Sequence, residues 1–328
     1  MNRDEFLSRF NSISTKAGYL KTFKKFDLYL DSIKTSEEDF LSRLNSSEKS
    51  VKYETLQNVI NFLKDTNISN VVVRNYFDNL FKYFLISGID LDYTQKKLRL
   101  IFPRISDRRF EGFDREGIEK VLNLKYGSKV FKLYCRGLAG GGFRENELLQ
   151  VTPRMILFNE HPVRVKLPAE ITKFNIYRET FLPKNTARLI RERIMEKDIK
   201  EDQTIFVKNW SLGSLGYFEK IFDTVRRMTD LETPNRKRYQ QNDITLHSFR
   251  AFFITTFTDH NKERFGHALS GHSKDLSVYF RKSLKQRQLE YLAVTDSLDF
   301  EISKKEEIVE KPELVFDELI KPIKRSAV

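Results

Sequence analysis

A chain of 328 residues with 40% apolar and 13% aromatic content is long enough for two domains with real cores and too apolar to stay disordered. Lysine and arginine outnumber acids 58 to 46, a formal charge of +12 that suits a polyanionic partner such as nucleic acid. The single cysteine, Cys135, excludes a disulfide framework and a thiolate metal cage, and no apolar run approaches the roughly 18 to 20 residues of a membrane span, so a reducing cytoplasm is the expected setting.

The first hundred residues read as a helical module, because apolar residues recur at helical spacing in three segments. Tyr19, Phe23, Phe26 and Leu30 form one stripe, Leu56, Ile60 and Leu63 a second, and Val73, Phe77, Leu80 and Phe84 a third. Lys16, Lys21, Lys24 and Lys25 surround the first stripe and predict a cationic outer face. The periodicity breaks between Phe102 and Phe113, where Pro103 stands with Arg104, Arg108 and Arg109. The expected boundaries are therefore 1–102 for a helical domain, 103–113 for a basic linker, 114–300 for a second domain and 301–328 for a mixed-charge tail. That tail either packs on a neighbouring protomer or stays disordered.

Helical spacing resumes from Arg115 to Leu124 and from Ser128 to Leu138. Gly140-Gly141-Gly142 is expected to end the second helix and allow a tight reversal before another opens near Arg144. Short alternations follow at Val163 to Leu167 and Phe174 to Leu182, separated by Pro168-Ala169-Glu170, which predicts a small antiparallel hairpin or meander. From about Thr186 to Tyr291 the pattern is helical again, with loops around Trp210 and Pro234.

Three clusters carry chemistry. In His247-Ser248-Phe249-Arg250 the two polar groups lie three apart, about one helical turn, beside a stripe of Leu246, Phe249, Phe253 and Phe257. Such a pair can present an imidazole and a guanidinium to one anion. Arg144 follows a glycine turn at a helix start, where the helix dipole favours anions, so a phosphate shared between its side chain and backbone N–H groups is expected, with Glu147 orienting it. Ser270-Gly271-His272 is followed after seven residues by Tyr279. Each cluster taken alone is compatible with a purely structural role; their order is more specific.

An arginine with a glutamate, a hairpin with a lysine, His-x-x-Arg, Gly-His and then tyrosine resembles the tyrosine recombinase, or phage-type integrase, family over roughly Phe113 to Leu298. The run Leu167 to Lys173 and the stretch Leu276 to Leu298 look most like integrases of archaeal viruses and mobile elements. The resemblance implies a mainly α fold, with an N-terminal helical core-binding domain and a C-terminal α+β catalytic domain holding a small antiparallel sheet. It also implies the site: Tyr279 as nucleophile, Arg144 and Arg250 on the non-bridging phosphate oxygens, and Lys173 as the acid for the leaving 5′-oxygen. His247 and His272 position phosphate oxygens or move the tyrosine proton, and the sequence does not divide these two tasks. The interval from His272 to Tyr279 is a residue or two shorter than is usual in the family. Tyr291 is therefore the reserve nucleophile, although its place in the Leu289 to Val294 stripe favours packing; Lys166 and Lys184 flank Lys173.

A phenol with a pKa near 10 is only about one part in a thousand ionised at neutral pH, which is why such a nucleophile needs surrounding donors and a proton acceptor. A 3′-phosphotyrosyl link conserves the bond energy, so no nucleotide cofactor is required, and Gly140 to Gly142 lacks the lysine and hydroxyl of a phosphate-cradling loop. Five histidines and one cysteine without ligand spacing predict no metal. The implied partners are double-stranded DNA attachment sites and further copies of the chain, a dimer on each site and a tetrameric synapse. The implied setting is the nucleoid, with the gene carried by a virus or plasmid. Two rivals remain: strand relaxation of the type IB topoisomerase kind, and a DNA-binding protein without catalysis.

Overall fold

Side-chain caps and apolar stripes at helical spacing organise the first hundred residues. The computed structural model describes residues 1–91, 100–104, 112–233, 242–272 and 281–301, which fall into two compact units, residues 1–104 and 112–301. The first unit holds α1 (Arg3–Ser8), α2 (Ile13–Ser32), α3 (Glu37–Ser46), α4 (Lys49–Asp65) and α5 (Asn70–Ile86). Asn2, Ser12, Ser36 and Ser69 cap α1, α2, α3 and α5, each accepting a backbone N–H near the helix start that would otherwise lack a partner.

All three expected stripes are buried in one core. The helices α1 and α3 were not anticipated. They bury only Phe6, and Phe40 with Leu44, too few apolar positions to register as a period. Of the four lysines on α2, Lys21 and Lys24 are exposed while Lys16 and Lys25 are half-buried. Phe102 packs edge-on against Phe77 beneath the Arg74 guanidinium, and the Asn70 amide donates to the Arg104 carbonyl at 2.8 Å. The beginning of the expected linker thus packs with the helices, while residues 105–111 lie outside the described residues.

The second unit is mainly helical around a three-stranded antiparallel sheet in the order β1-β2-β3. Its helices are α6 (Arg115–Asn123), α7 (Lys129–Gly141), α8 (Glu145–Leu149), α9 (Lys184–Glu196), α10 (Leu212–Met228), α11 (Leu246–Asp259), α12 (Glu263–Leu269), α13 (Leu284–Leu292) and α14 (Thr295–Leu298). The strands are β1 (Ile156–Leu157), β2 (Val163–Leu167) and β3 (Arg178–Leu182), with Val163 opposite Leu182 and Leu167 opposite Arg178. The two-residue β1 escaped the sequence reading because it is too short to alternate. β3 begins four residues later than expected, because Thr172 turns the preceding segment by bonding the Ala169 carbonyl and both backbone groups of Ile176.

Helix α7 is the axis of this unit, buried from Val130 to Gly141 and packed against α6, α8, α9, α11, α14 and β3. It runs through Gly140 and Gly141, past the expected end near Leu138. Only Gly142 makes the reversal: its φ of 61° is left-handed, and a Cβ there would lie 2.4 Å from the Phe253 ring. At the other end of the unit, Arg115 donates to the carbonyls of Asp296, Ser297 and Asp299, and Arg136 to those of Phe300 and Glu301. Among the described residues, no helix is long and apolar enough to cross a membrane.

Candidate active site

Three loops and a helix of the second unit bring basic groups to one place. Gly142 delivers the chain to Arg144, which sits at the N-cap of α8 in extended conformation. From there Arg144 donates to Glu147 at 2.8 Å and to the carbonyl of Gly271 at 3.1 Å. Arg250, on the buried face of α11, is 2% exposed and donates one nitrogen to the Gly142 carbonyl at 2.6 Å. The glycine turn therefore fixes both arginines, Arg144 through its backbone and Arg250 through its carbonyl.

A third arginine, Arg178 at the start of β3, was not among the expected residues. It is 1% exposed and donates to the Glu147 carboxylate and to the Leu269 carbonyl at the end of α12. Glu147 thus lies between two guanidiniums, one oxygen on each. Burial alone would raise its pKa, but the charges and hydrogen bonds of Arg178 and Arg144 outweigh that and hold it ionised below the usual range. The clue in the sequence was Arg178-Glu179-Thr180 in a strand whose every residue is buried, a polar run that must find partners inside.

Charge in this cluster is unbalanced. Burial, then repulsion from Arg144 and Arg178, push the Arg250 guanidinium down to about 9. The second terminal nitrogen of Arg250 is buried with no hydrogen-bond partner among the described residues. Gly271 closes the wall opposite: its φ is 81°, and a Cβ there would lie 2.7 Å from the Arg178 side chain and 3.2 Å from Arg144.

His272 follows Gly271 and is half-buried. His247 stands at the start of α11, 63% exposed, with Nδ1 3.4 Å from Glu145. Burial opposes the Glu145 charge, yet the His247 contact, its own backbone N–H and the Arg250 charge hold its pKa below the ordinary value. Lys173 is exposed in the loop between β2 and β3, its ammonium 5.6 Å from the Phe174 ring, and that ring also lies 5.4 Å from the Arg144 guanidinium. The flanking lysines are placed otherwise. Lys166 opposes Glu179 on the sheet face away from Arg178, because cross-strand partners share a face and neighbours alternate. Lys184 opens α9, beyond the end of β3 and six residues from Arg178.

Tyr279 lies outside the described residues. Tyr291, the reserve, is fully buried on α13 between Phe181 and Phe257, its hydroxyl donating to the Gly140 carbonyl at 2.7 Å. Burial drives its phenol well above the ordinary range, the reverse of what an attacking phenolate needs. The structure gives Tyr291 a packing role. Among the described residues, no group of three or more His, Cys, Asp or Glu side chains could hold a metal ion.

No family model matches the chain, and no curated protein matches it. Solved structures do. A lambda integrase dimer bound to a COC′ core site matches with a TM-score of 0.60 at 13% identity, over 83% of this chain and 92% of that one. The Tn1549 transposon integrase in complex with transposon right end DNA matches with a TM-score of 0.56 at 14% identity, over 89% of this chain and 97% of that one. The XerH site-specific recombinase bound to difH matches with a TM-score of 0.55 at 17% identity, over 86% of this chain and 79% of that one. The chain has the fold of the tyrosine-type site-specific recombinases and integrases.

Proposed function

We propose that this chain cuts and rejoins double-stranded DNA as a site-specific tyrosine recombinase, through a 3′-phosphotyrosyl intermediate. The observation that carries the reading is Arg250: a buried guanidinium whose second terminal nitrogen has no partner among the described residues, held with two other guanidiniums against the carboxylates of Glu147 and Glu145. A phosphodiester supplies both the missing acceptor and the missing negative charge. Arg144 and Arg250 then hold the non-bridging oxygens and stabilise charge as it spreads in the transition state. Arg178 does not face the phosphate in this scheme; through Glu147 it keeps Arg144 in place.

Tyr279 is the nucleophile, and Lys173 protonates the leaving 5′-oxygen. His247 and His272 handle the remaining contacts and the tyrosine proton. The helical unit is the core-binding domain and the second unit the catalytic domain, and each binds the duplex attachment site. Exchange between two duplexes needs four active sites, so a dimer on each site and a tetrameric synapse follow from the proposal. The Leu167 to Lys173 run and the Leu276 to Leu298 stretch support an integrase of an archaeal virus or mobile element, encoded by a virus or plasmid.

The test is covalent trapping. Incubated with nicked suicide duplexes carrying its own attachment site, the protein forms an adduct that migrates as protein plus DNA and is destroyed by protease. Tyr279→Phe abolishes the adduct and Tyr291→Phe does not. An adduct that survives Tyr279→Phe overturns the nucleophile assignment, and its absence from the unmodified protein overturns the enzyme reading. Joining between two duplexes rather than within one distinguishes recombination from topoisomerase-like relaxation.

A further inference from the structure

Helix α12 ends in a Schellman motif. The His272 N–H bonds back to the His267 carbonyl at 2.9 Å, the Gly271 N–H bonds to that of Ala268 at 2.9 Å, and Gly271 takes the left-handed conformation that the motif requires. This motif brings the residue after the glycine against the residue five positions earlier, usually in a hydrophobic contact. Here both positions are histidine. Their rings lie 4.5 Å apart with Nδ1 of His267 2.6 Å from Nδ1 of His272, while Nε2 of His267 is 3.5 Å from the Glu263 carboxylate.

We propose that His267, backed by Glu263, is a positioning residue that sets which nitrogen of His272 carries the proton and thereby makes His272 the proton acceptor of the site. This rests on the reading of His272 as an active-site group.

The argument is one of proton counting. Two lone pairs or two N–H groups facing each other at 2.6 Å repel, so one proton lies between the Nδ1 atoms. In a neutral pair it belongs to His272 or to His267. If it belonged to His267, the bare Nε2 of that ring would face the Glu263 carboxylate, lone pair against anion. If it belongs to His272, His267 carries its own proton on Nε2, facing Glu263, and the outer Nε2 of His272 is bare. Glu263 therefore selects the second arrangement, as a carboxylate behind an imidazole fixes its tautomer elsewhere. When the outer Nε2 of His272 accepts the phenol proton, the resulting cation shares its inner proton with His267, and Glu263 lies on the far side of the pair.

The experiment reads the tautomer directly, in the full chain, by nitrogen-15 NMR of histidine-labelled protein at neutral pH, with His272→Gln used to assign the ring. His272 is expected in the Nδ1–H form. In His267→Leu it reverts to the Nε2–H form that free histidine favours; in His267→Asn, whose amide oxygen can accept at the same place, the Nδ1–H form returns. Glu263→Gln, a change at an exposed side chain, shifts the balance without disturbing the turn. The adduct-forming rate should fall about tenfold or more in His267→Leu and recover in His267→Asn. An Nε2–H His272 in the unmodified protein, or a tautomer indifferent to His267→Leu, overturns the proposal. The expected tautomers in a protein that forms no adduct with DNA would leave the pair standing and remove the recombinase reading instead.

Discussion

If the site holds a phosphodiester, as proposed, Arg250 affects folding and binding in opposite senses as pH rises. Its folded pKa of about 9 lies below its ordinary value, so above about 9 the folded chain binds fewer protons than the unfolded one. This group's contribution to stability therefore rises with pH from about 9 upward. A bound phosphodiester favours the charged guanidinium, so affinity falls over the same window as the donor is lost. Urea unfolding and DNA titration at low salt, compared with Arg250→Gln between about pH 8 and 10, should show the two trends diverging in the unmodified protein alone. Lys173 yields a separate prediction. If it protonates the leaving oxygen, Lys173→Ala slows adduct formation by about 100-fold or more on ordinary DNA. A substrate with a 5′-bridging sulfur, whose thiolate leaves unprotonated, should recover most of that rate; no recovery would assign Lys173 to binding.

The elements of the fold were legible in proportion to their length and periodicity. The stripes on α2, α4 and α5 each repeat over several turns and appear in the core as read. Short pieces such as α1 and β1 offer no period, and their existence depends on partners distant in sequence, as when Phe6 packs against Tyr83. Of the candidate site, the order of residue types pointed to Arg144 and Arg250, which the structure brings together at the Gly142 turn. Arg178 and His267 escaped because neither has a signature of its own: one is defined by a carboxylate 31 residues away, the other by the turn at Gly271. The same logic applies to the triple glycine, where the sequence cannot say which member makes the turn. The structure assigns it to Gly142, so Gly142→Ala should cost about 2 kcal/mol or more in chemical denaturation, for the left-handed backbone and the Phe253 clash together. A stability loss within error of zero would show that the turn tolerates a side chain.

At the scale of the whole molecule, a chain of charge +12 that binds DNA as proposed does so with release of counterions. Log affinity should fall linearly with log salt, and Arg144→Gln should reduce the magnitude of that slope by about 0.9, one phosphate contact. The same change should weaken attachment-site and random DNA alike, since a backbone contact carries no sequence information. A slope unchanged by Arg144→Gln, measured by fluorescence anisotropy, would place that arginine away from the phosphate.

The grip of Arg115 and Arg136 on residues 296–301 falls on carbonyl oxygens, which every amino acid supplies. Those contacts read the path of the segment, while Leu298 and Phe300 are buried in the core and the Asp299 carboxylate accepts the Asn185 N–H. Asp296, Ser297 and Glu301 meet the arginines through their carbonyls, so a random library at those three positions should retain far more folded members than one across Leu298, Asp299 and Phe300.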